Sequence, residues 1–231
     1  MLLGVGLGFY ALATYVGWRY APFLLKNERV TQQLWLLTAG IWLELAFMDL
    51  IPSTQTTFLG MLGFYRATLL SIVLFFSPIF LVALGQTLRQ RLGKPKPALN
   101  LSLFVVQNLL EGILIYCLYR VNGVLGFGYL LLTMPHAVVE ALALYALAKK
   151  NSNDWIWLVA THLIGIGLGY GLVEHAKSLV GLAVFKQLMA GYLVYVCLAE
   201  LLPQAMHKVT KGQIPYALFS GMLLMGLLSL F

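Results

Sequence analysis

From Asn100 to Lys150 the chain reads NLSLFVVQNLLEGILIYCLYRVNGVLGFGYLLLTMPHAVVEALALYALAKK. Two apolar stretches, about 100–119 and 123–148, are parted only by Arg120, Val121 and Asn122. Each is long enough to cross the roughly 30 Å hydrocarbon core of a bilayer as a helix. Inside them stand two carboxylates, Glu111 and Glu140. A charge held at mid-bilayer depth costs about 2.5–3.5 kcal/mol on insertion scales, so one that is kept marks an ion path or a buried pair. The carboxylates end two look-alike motifs, Gln107-Asn108-Leu109-Leu110-Glu111-Gly112 and Pro135-His136-Ala137-Val138-Val139-Glu140. In each, a metal-capable side chain comes four residues earlier.

The rest of the chain has the same character. Of its 231 residues, 61% are hydrophobic and 10% charged, with a mean hydropathy of +0.86, far from the balance of a soluble domain. Further spans are expected at about 2–22, 33–51, 67–88, 155–173, 179–203 and 213–231, making eight in all. The loops between them leave no room for a soluble domain, so residues 1–231 are expected to form one all-α, multi-pass membrane domain. The first residues lack the basic start and small-residue cleavage site of a secretory signal.

The net charge of +7 orients this domain rather than indicating nucleic acid. With the N-terminus outside, Arg19, Lys26, Arg29, Arg89, Arg91, Lys94, Lys96, Lys149, Lys150, Lys208 and Lys211 face the cytoplasm. Arg66, Arg120, Lys177 and Lys186 are left on the outer side. That bias follows the positive-inside rule and puts both termini outside. The polar stretch from Arg89 to Asn100 is expected to be a flexible cytoplasmic linker, and Pro52 to Arg66 an extracellular loop. Cys117 and Cys197 fall inside spans without CxxC spacing and read as small buried hydrophobes.

Segments two and seven repeat a pattern: Ala39-Gly40, eight residues, then Asp49-Leu50-Ile51-Pro52, against Ala190-Gly191, eight residues, then Glu200-Leu201-Leu202-Pro203. The topology runs them in opposite directions, so the repeat is inverted, with segments 1–3 and 6–8 around a central pair. Transporters built this way hold their substrate near the midplane.

Residues four apart share a helical face. Gln107 and Glu111 therefore project together from segment four, joined by Asn108, and His136 and Glu140 from segment five. Opposed, these faces bring together amides, an imidazole and two carboxylates, a donor set suited to zinc, iron or manganese and unsuited to Cu(I), which wants thiolate. Pro135 weakens the helix beside the site. Glu44, buried in segment two, needs a partner or a second ion. His162 in segment six is a further candidate ligand. Asp49 on the outer side and Glu200 with His207 on the inner side are candidate entrance and exit points, although acids at helix ends also reach water by snorkelling. The run Gly165-Ile166-Gly167-Leu168-Gly169-Tyr170-Gly171 lacks the strand and polar setting of a phosphate loop and reads as close helix packing.

These motifs resemble the ZIP (Zrt-/Irt-like protein) divalent-metal transporters. QNLLEG at 107–112 is similar to the HNxPEG motif of that family's fourth helix, and PHAVVEA at 135–141 to the HxxPE motif of its fifth. The AG…DLIP and AG…ELLP runs resemble its second and seventh helices, so the likeness covers nearly the whole chain. It implies eight helices, a metal site from Gln107, Asn108, Glu111, His136 and Glu140, and an elevator-like movement of the helix four and five bundle. Gln107 stands where the family has His, Leu110 and Val139 where it has Pro. Ala137 replaces a second polar ligand, which reduces a two-metal centre to one. The family's sixth-helix Glu has no clear counterpart beyond His162.

The expected function is therefore inward movement of a divalent transition metal, zinc foremost with iron, manganese or cadmium as rivals, across the cell membrane. The metal is substrate rather than cofactor, no cofactor or catalytic residue is expected, and a homodimer is open. Alternatives are a non-transporting scaffold or metal sensor and a carrier of another cation. An intramembrane hydrolase is disfavoured, because only Glu111 or Glu140 could serve as its water-activating base.

Overall fold

The structure is a computed structural model and describes residues 2–91, 96–147, 154–176, 179–206 and 214–228. The described residues are almost entirely helical, with no strand among them. The helices are α1 Leu2–Leu24, α2 Glu28–Glu44, α3 Ile51–Leu62, α4 Phe64–Arg91, α5 Lys96–Val121, α6 Gly123–Leu132, α7 Met134–Leu147, α8 Trp155–Ala176, α9 Leu179–Val196, α10 Leu202–Met206 and α11 Ile214–Leu228. Four helical stretches among the described residues are long and apolar enough to cross a membrane: Glu28–Leu62, Phe64–Gly85, Trp155–Glu174 and Val180–Ala199. A fifth is made if Gly126–Leu132 and Met134–Tyr145, bent by 43° at Thr133, count as one span.

Polar side chains mark the helix starts. Asn27 caps α2, its side chain accepting from the Val30 N–H, and Asn122 caps α6 by accepting from the Val124 N–H at 2.9 Å. The 43° bend sits where Pro135 has no N–H to give back to the preceding turn. Thr133 at the bend turns its hydroxyl onto the Leu130 carbonyl.

Two expectations are corrected. Residues 52–66 are not a loop: α3 carries the helix from α2 on to Leu62, and the break is the single residue Gly63, whose φ of 72° suits glycine. The polar run Ser53–Thr57 stays helical because its hydroxyls return to their own backbone. Ser53 and Thr54 reach the Leu50 carbonyl, Thr56 that of Pro52 and Thr57 that of Ser53. The linker between segments three and four is also shorter than expected, since α4 runs to Arg91 and α5 starts at Lys96. Lys94 lies outside the described residues.

The two AG…[DE]L[IL]P runs share a local geometry. Within each lies a π-helical turn, Leu45–Leu50 and Cys197–Leu201, followed by helix whose second residue is Pro52 or Pro203. The glycines of both runs let a neighbouring backbone in. A Cβ on Gly40 would strike the Leu218 carbonyl of α11, and one on Gly191 the Phe75 carbonyl of α4. The glycines of α8 are used as the packing reading expects. Gly165 lies against the Leu109 carbonyl of α5, Gly169 against Ile113 and Tyr116, and Gly112 of α5 returns the contact on the His162 carbonyl. On α1, Gly17 seats the helix on α7, where a Cβ would come within 2.8 Å of the Val138 Cα. Cys117 and Cys197 are both free and buried, as expected of small hydrophobes.

Candidate metal centre

Three of the close-packed helices, α5, α7 and α8, bring ionisable side chains together. Glu111 and Glu140 are 2% and 1% exposed, His136 is 2% exposed, and His162 is fully buried. On α7, one turn separates His136 from Glu140, and His136 Nε2 lies 3.1 Å from Glu140 Oε1. From α5, Glu111 brings Oε2 to 3.9 Å from the same nitrogen. From α8, His162 Nδ1 stands 4.0 Å from Glu111 Oε2. One ligand atom from each of Glu111, His136 and Glu140 falls within 4.8 Å of the other two.

Amides close the group from the α5 side. Gln107 Nε2 is 2.7 Å from His136 Nε2. Asn108 donates from Nδ2 to Glu140 Oε1 at 3.1 Å, while its Oδ1 accepts the Tyr10 hydroxyl at 3.0 Å. Aromatic rings wall the site. Trp42 of α2 lies 4.2 Å from the His136 ring, and Tyr10 of α1 stacks on His162 with centroids 4.1 Å apart and 24° between planes. The Tyr129 hydroxyl of α6 is also buried.

The chemistry is decided by what these atoms lack. Both oxygens of Glu111, Oε2 of Glu140, Nδ1 of His136 and both nitrogens of His162 are buried without a hydrogen-bond partner among the described residues. Each such atom costs about 1–3 kcal/mol when left unsatisfied, and six of them on four neighbouring side chains is not how proteins arrange idle polar groups. Two carboxylates and two imidazoles, deprotonated as ligands must be, would carry a charge that one divalent cation cancels. Imidazole nitrogen with carboxylate oxygen is a donor set for zinc, iron or manganese. Neither Cys117 nor Cys197 belongs to the cluster, so no soft thiolate site is built here.

The other expected residues lie apart from this group. Glu44 is 7% exposed on α2, its Oε2 without a hydrogen-bond partner, and packs beside Gly226 of α11. Asp49 is half-buried in the first π-turn with Oδ2 unpartnered, and Lys186 on α9 is near enough to act on its charge. Lys186, expected at the outer edge, is itself buried. Glu200 falls in the second π-turn, where only its backbone is described, and His207 lies outside the described residues.

Sequence reasoning missed Tyr10, Trp42 and Tyr129. For Tyr10 a signal existed: Gly6, Tyr10, Thr14, Gly17, Trp18 and Ala21 are the buried residues of α1, small ones interrupted by two large aromatics that each carry a polar group.

No protein-family model matches the chain. No curated protein matches it either. Function therefore has to be argued from the buried cluster.

Proposed function

We propose that the chain is a ZIP-like carrier that moves one divalent transition metal, zinc foremost, into the cell through the Glu111–His136–Glu140 centre, with His162 as fourth ligand. The observation that carries this is the convergence of one ligand atom each from Glu111, His136 and Glu140 within 4.8 Å, all three buried, beside nitrogen and oxygen atoms left without partners. A buried ionisable cluster in an apolar, membrane-like setting is expensive to keep and marks a path for ions.

The eight-span, inverted-repeat architecture is part of the same proposal. In its favour, the helices of the described residues can be grouped along the chain into eight rods: α1, α2 with α3, α4, α5, α6 with α7, α8, α9 with α10, and α11. Their pairing supports the repeat. The second rod packs on the eighth and the seventh on the third, each through the glycine of its AG pair. The first rod packs on the fifth and the sixth on the fourth. Exchanging the two triplets of rods, and the fourth rod with the fifth, maps one set of pairs onto the other.

The test is uptake of zinc, cadmium, manganese and iron(II) into proteoliposomes, alongside direct binding, for wild type and Glu140→Ala. Saturable flux that the substitution abolishes supports the carrier, and the order of the metals names its substrate. Glu140-dependent binding with no flux replaces the carrier by a metal sensor or scaffold. Neither binding nor flux removes the metal.

A further inference from the structure

Tyr10 touches two members of the metal cluster from a helix that supplies no ligand. Its ring stacks on His162 of α8 and its hydroxyl reaches Asn108 of α5, itself bonded to Glu140 of α7. The ring is 1% exposed, and α1 is held in register by Gly17 on Val138 seven residues along the same face. Thr14, one turn on, donates to the Tyr10 carbonyl at 2.9 Å.

The direction of the two Asn108 bonds is set by chemistry. The amide nitrogen of Asn108 donates to Glu140 Oε1, an oxygen able to accept in either state of the carboxyl group. The amide oxygen must then face Tyr10, whose hydroxyl donates to it. Turning the amide round would put two acceptors together at Glu140. Asn108 is thus a hydrogen-bond donor to a ligand, and its one metal-capable atom is occupied by Tyr10.

Resting on the metal-carrier reading of the site, we propose that Tyr10 is a positioning residue that withholds the Asn108 amide oxygen from the ion and so keeps the centre at low coordination. Two carboxylates and two imidazoles suit four-coordinate zinc, whereas manganese and other hard ions favour more oxygen ligands at higher coordination number. Removing the hydroxyl frees Oδ1 to turn inward as an additional hard ligand. Tyr10 then sets which metals the site prefers without touching any of them.

The experiment is cobalt(II) titration of the full-length protein in nanodiscs, read by visible absorption, with zinc and manganese competition. The proteins are wild type, Tyr10→Phe, Asn108→Leu and the double variant. Phe keeps the ring on His162 and loses only the hydroxyl. Tyr10→Phe is expected to weaken the strong four-coordinate bands and to shift the zinc-to-manganese preference by about tenfold toward manganese, the scale of outer partners on metal sites. Asn108→Leu should keep the four-coordinate bands, and adding Tyr10→Phe to it should change nothing further. If Tyr10→Phe matches wild type in spectrum and preference, or if its effect survives undiminished in the Asn108→Leu background, the assignment to Tyr10 is overturned and the carrier stands. Four-coordinate bands lost in Asn108→Leu would make Asn108 a direct ligand and also overturn it. Wild type that binds neither cobalt nor zinc sinks the carrier reading and this proposal together.

Discussion

His136 Nε2 and Glu140 Oε1 lie 3.1 Å apart, one turn from each other on α7, and the Gln107 amide approaches the same nitrogen from the facing helix at 2.7 Å. The imidazole is thereby aimed before any ion arrives, and the carboxylate beside it keeps Oε2 unspent. Glu140→Gln and His136→Ala each delete one ligand of a small set. Each is expected to lower zinc affinity by more than the roughly 10–100-fold typical of outer partners, measured by isothermal titration in detergent. Affinity within threefold of wild type for both would remove these residues from the site.

Glu111 has a cost as well as a use. Both of its oxygens are buried and unpartnered, so an apolar residue of similar volume should suit the metal-free fold better. Glu111→Leu is expected to raise metal-free stability by about 1–3 kcal/mol and to abolish metal binding. Thermal unfolding with and without zinc reads both effects, and a lowered melting temperature in metal-free buffer contradicts the first.

Trp42 lies against the His136 ring and reports on it. Zinc titration should change tryptophan emission in wild type, and Trp42→Phe should lose that change while keeping zinc affinity within a few-fold. An unaltered emission response in Trp42→Phe would mean the ion binds elsewhere.

Metal competes with protons for the same carboxylate and imidazole atoms, since each must be deprotonated to bind. Lowering pH therefore opposes binding, and raising it favours binding until the ligands are bare. Zinc affinity should fall steadily from pH 7.5 to 5.5, with protons released into weakly buffered solution on binding. Affinity independent of pH across that range contradicts a site made of these groups.

Two glycines of α8 separate packing from propensity. A Cβ on Gly165 would collide with the Leu109 carbonyl, whereas one on Gly167 meets nothing. Gly165→Ala is expected to destabilise by about 1–3 kcal/mol through overpacking, and Gly167→Ala to be neutral within about 0.5 kcal/mol. Thermal unfolding of the pair decides it, and equal effects would argue against the α5–α8 contact.

The centre was legible where chemistry repeats at the helical period. Glu111, His136 and Glu140 were placed by a spacing of four and by the cost of carboxylates in apolar helices, and the structure brings them within one coordination sphere. Asn108 was seen as a ligand because spacing fixes a face and says nothing of a partner arriving from α1. Tyr10 and Trp42 contact the cluster through tertiary packing among segments one, two, four, five and six, which no local pattern encodes. The segment 52–66 was misread because Ser53, Thr54, Thr56 and Thr57 look like loop residues until their hydroxyls are seen returning to helical carbonyls. The echo between segments two and seven was visible as letters, while the π-turns inside it were not, since an extra residue in a turn leaves no mark in composition.

The glycine contacts have a mechanical meaning. Helices pressed backbone against backbone, as α5 and α8 are at Gly112 and Gly165 and as α1 and α7 are at Gly17, travel as single pieces. Glu111, Gln107, Asn108 and His162 ride on one piece, and Tyr10, His136 and Glu140 on the other. On the carrier reading, an ion held by both would bridge two bodies that the chain itself links through α6, whose Gly126 lies against the Tyr119 backbone of α5. On that reading, loading would stiffen the seam and release would loosen it.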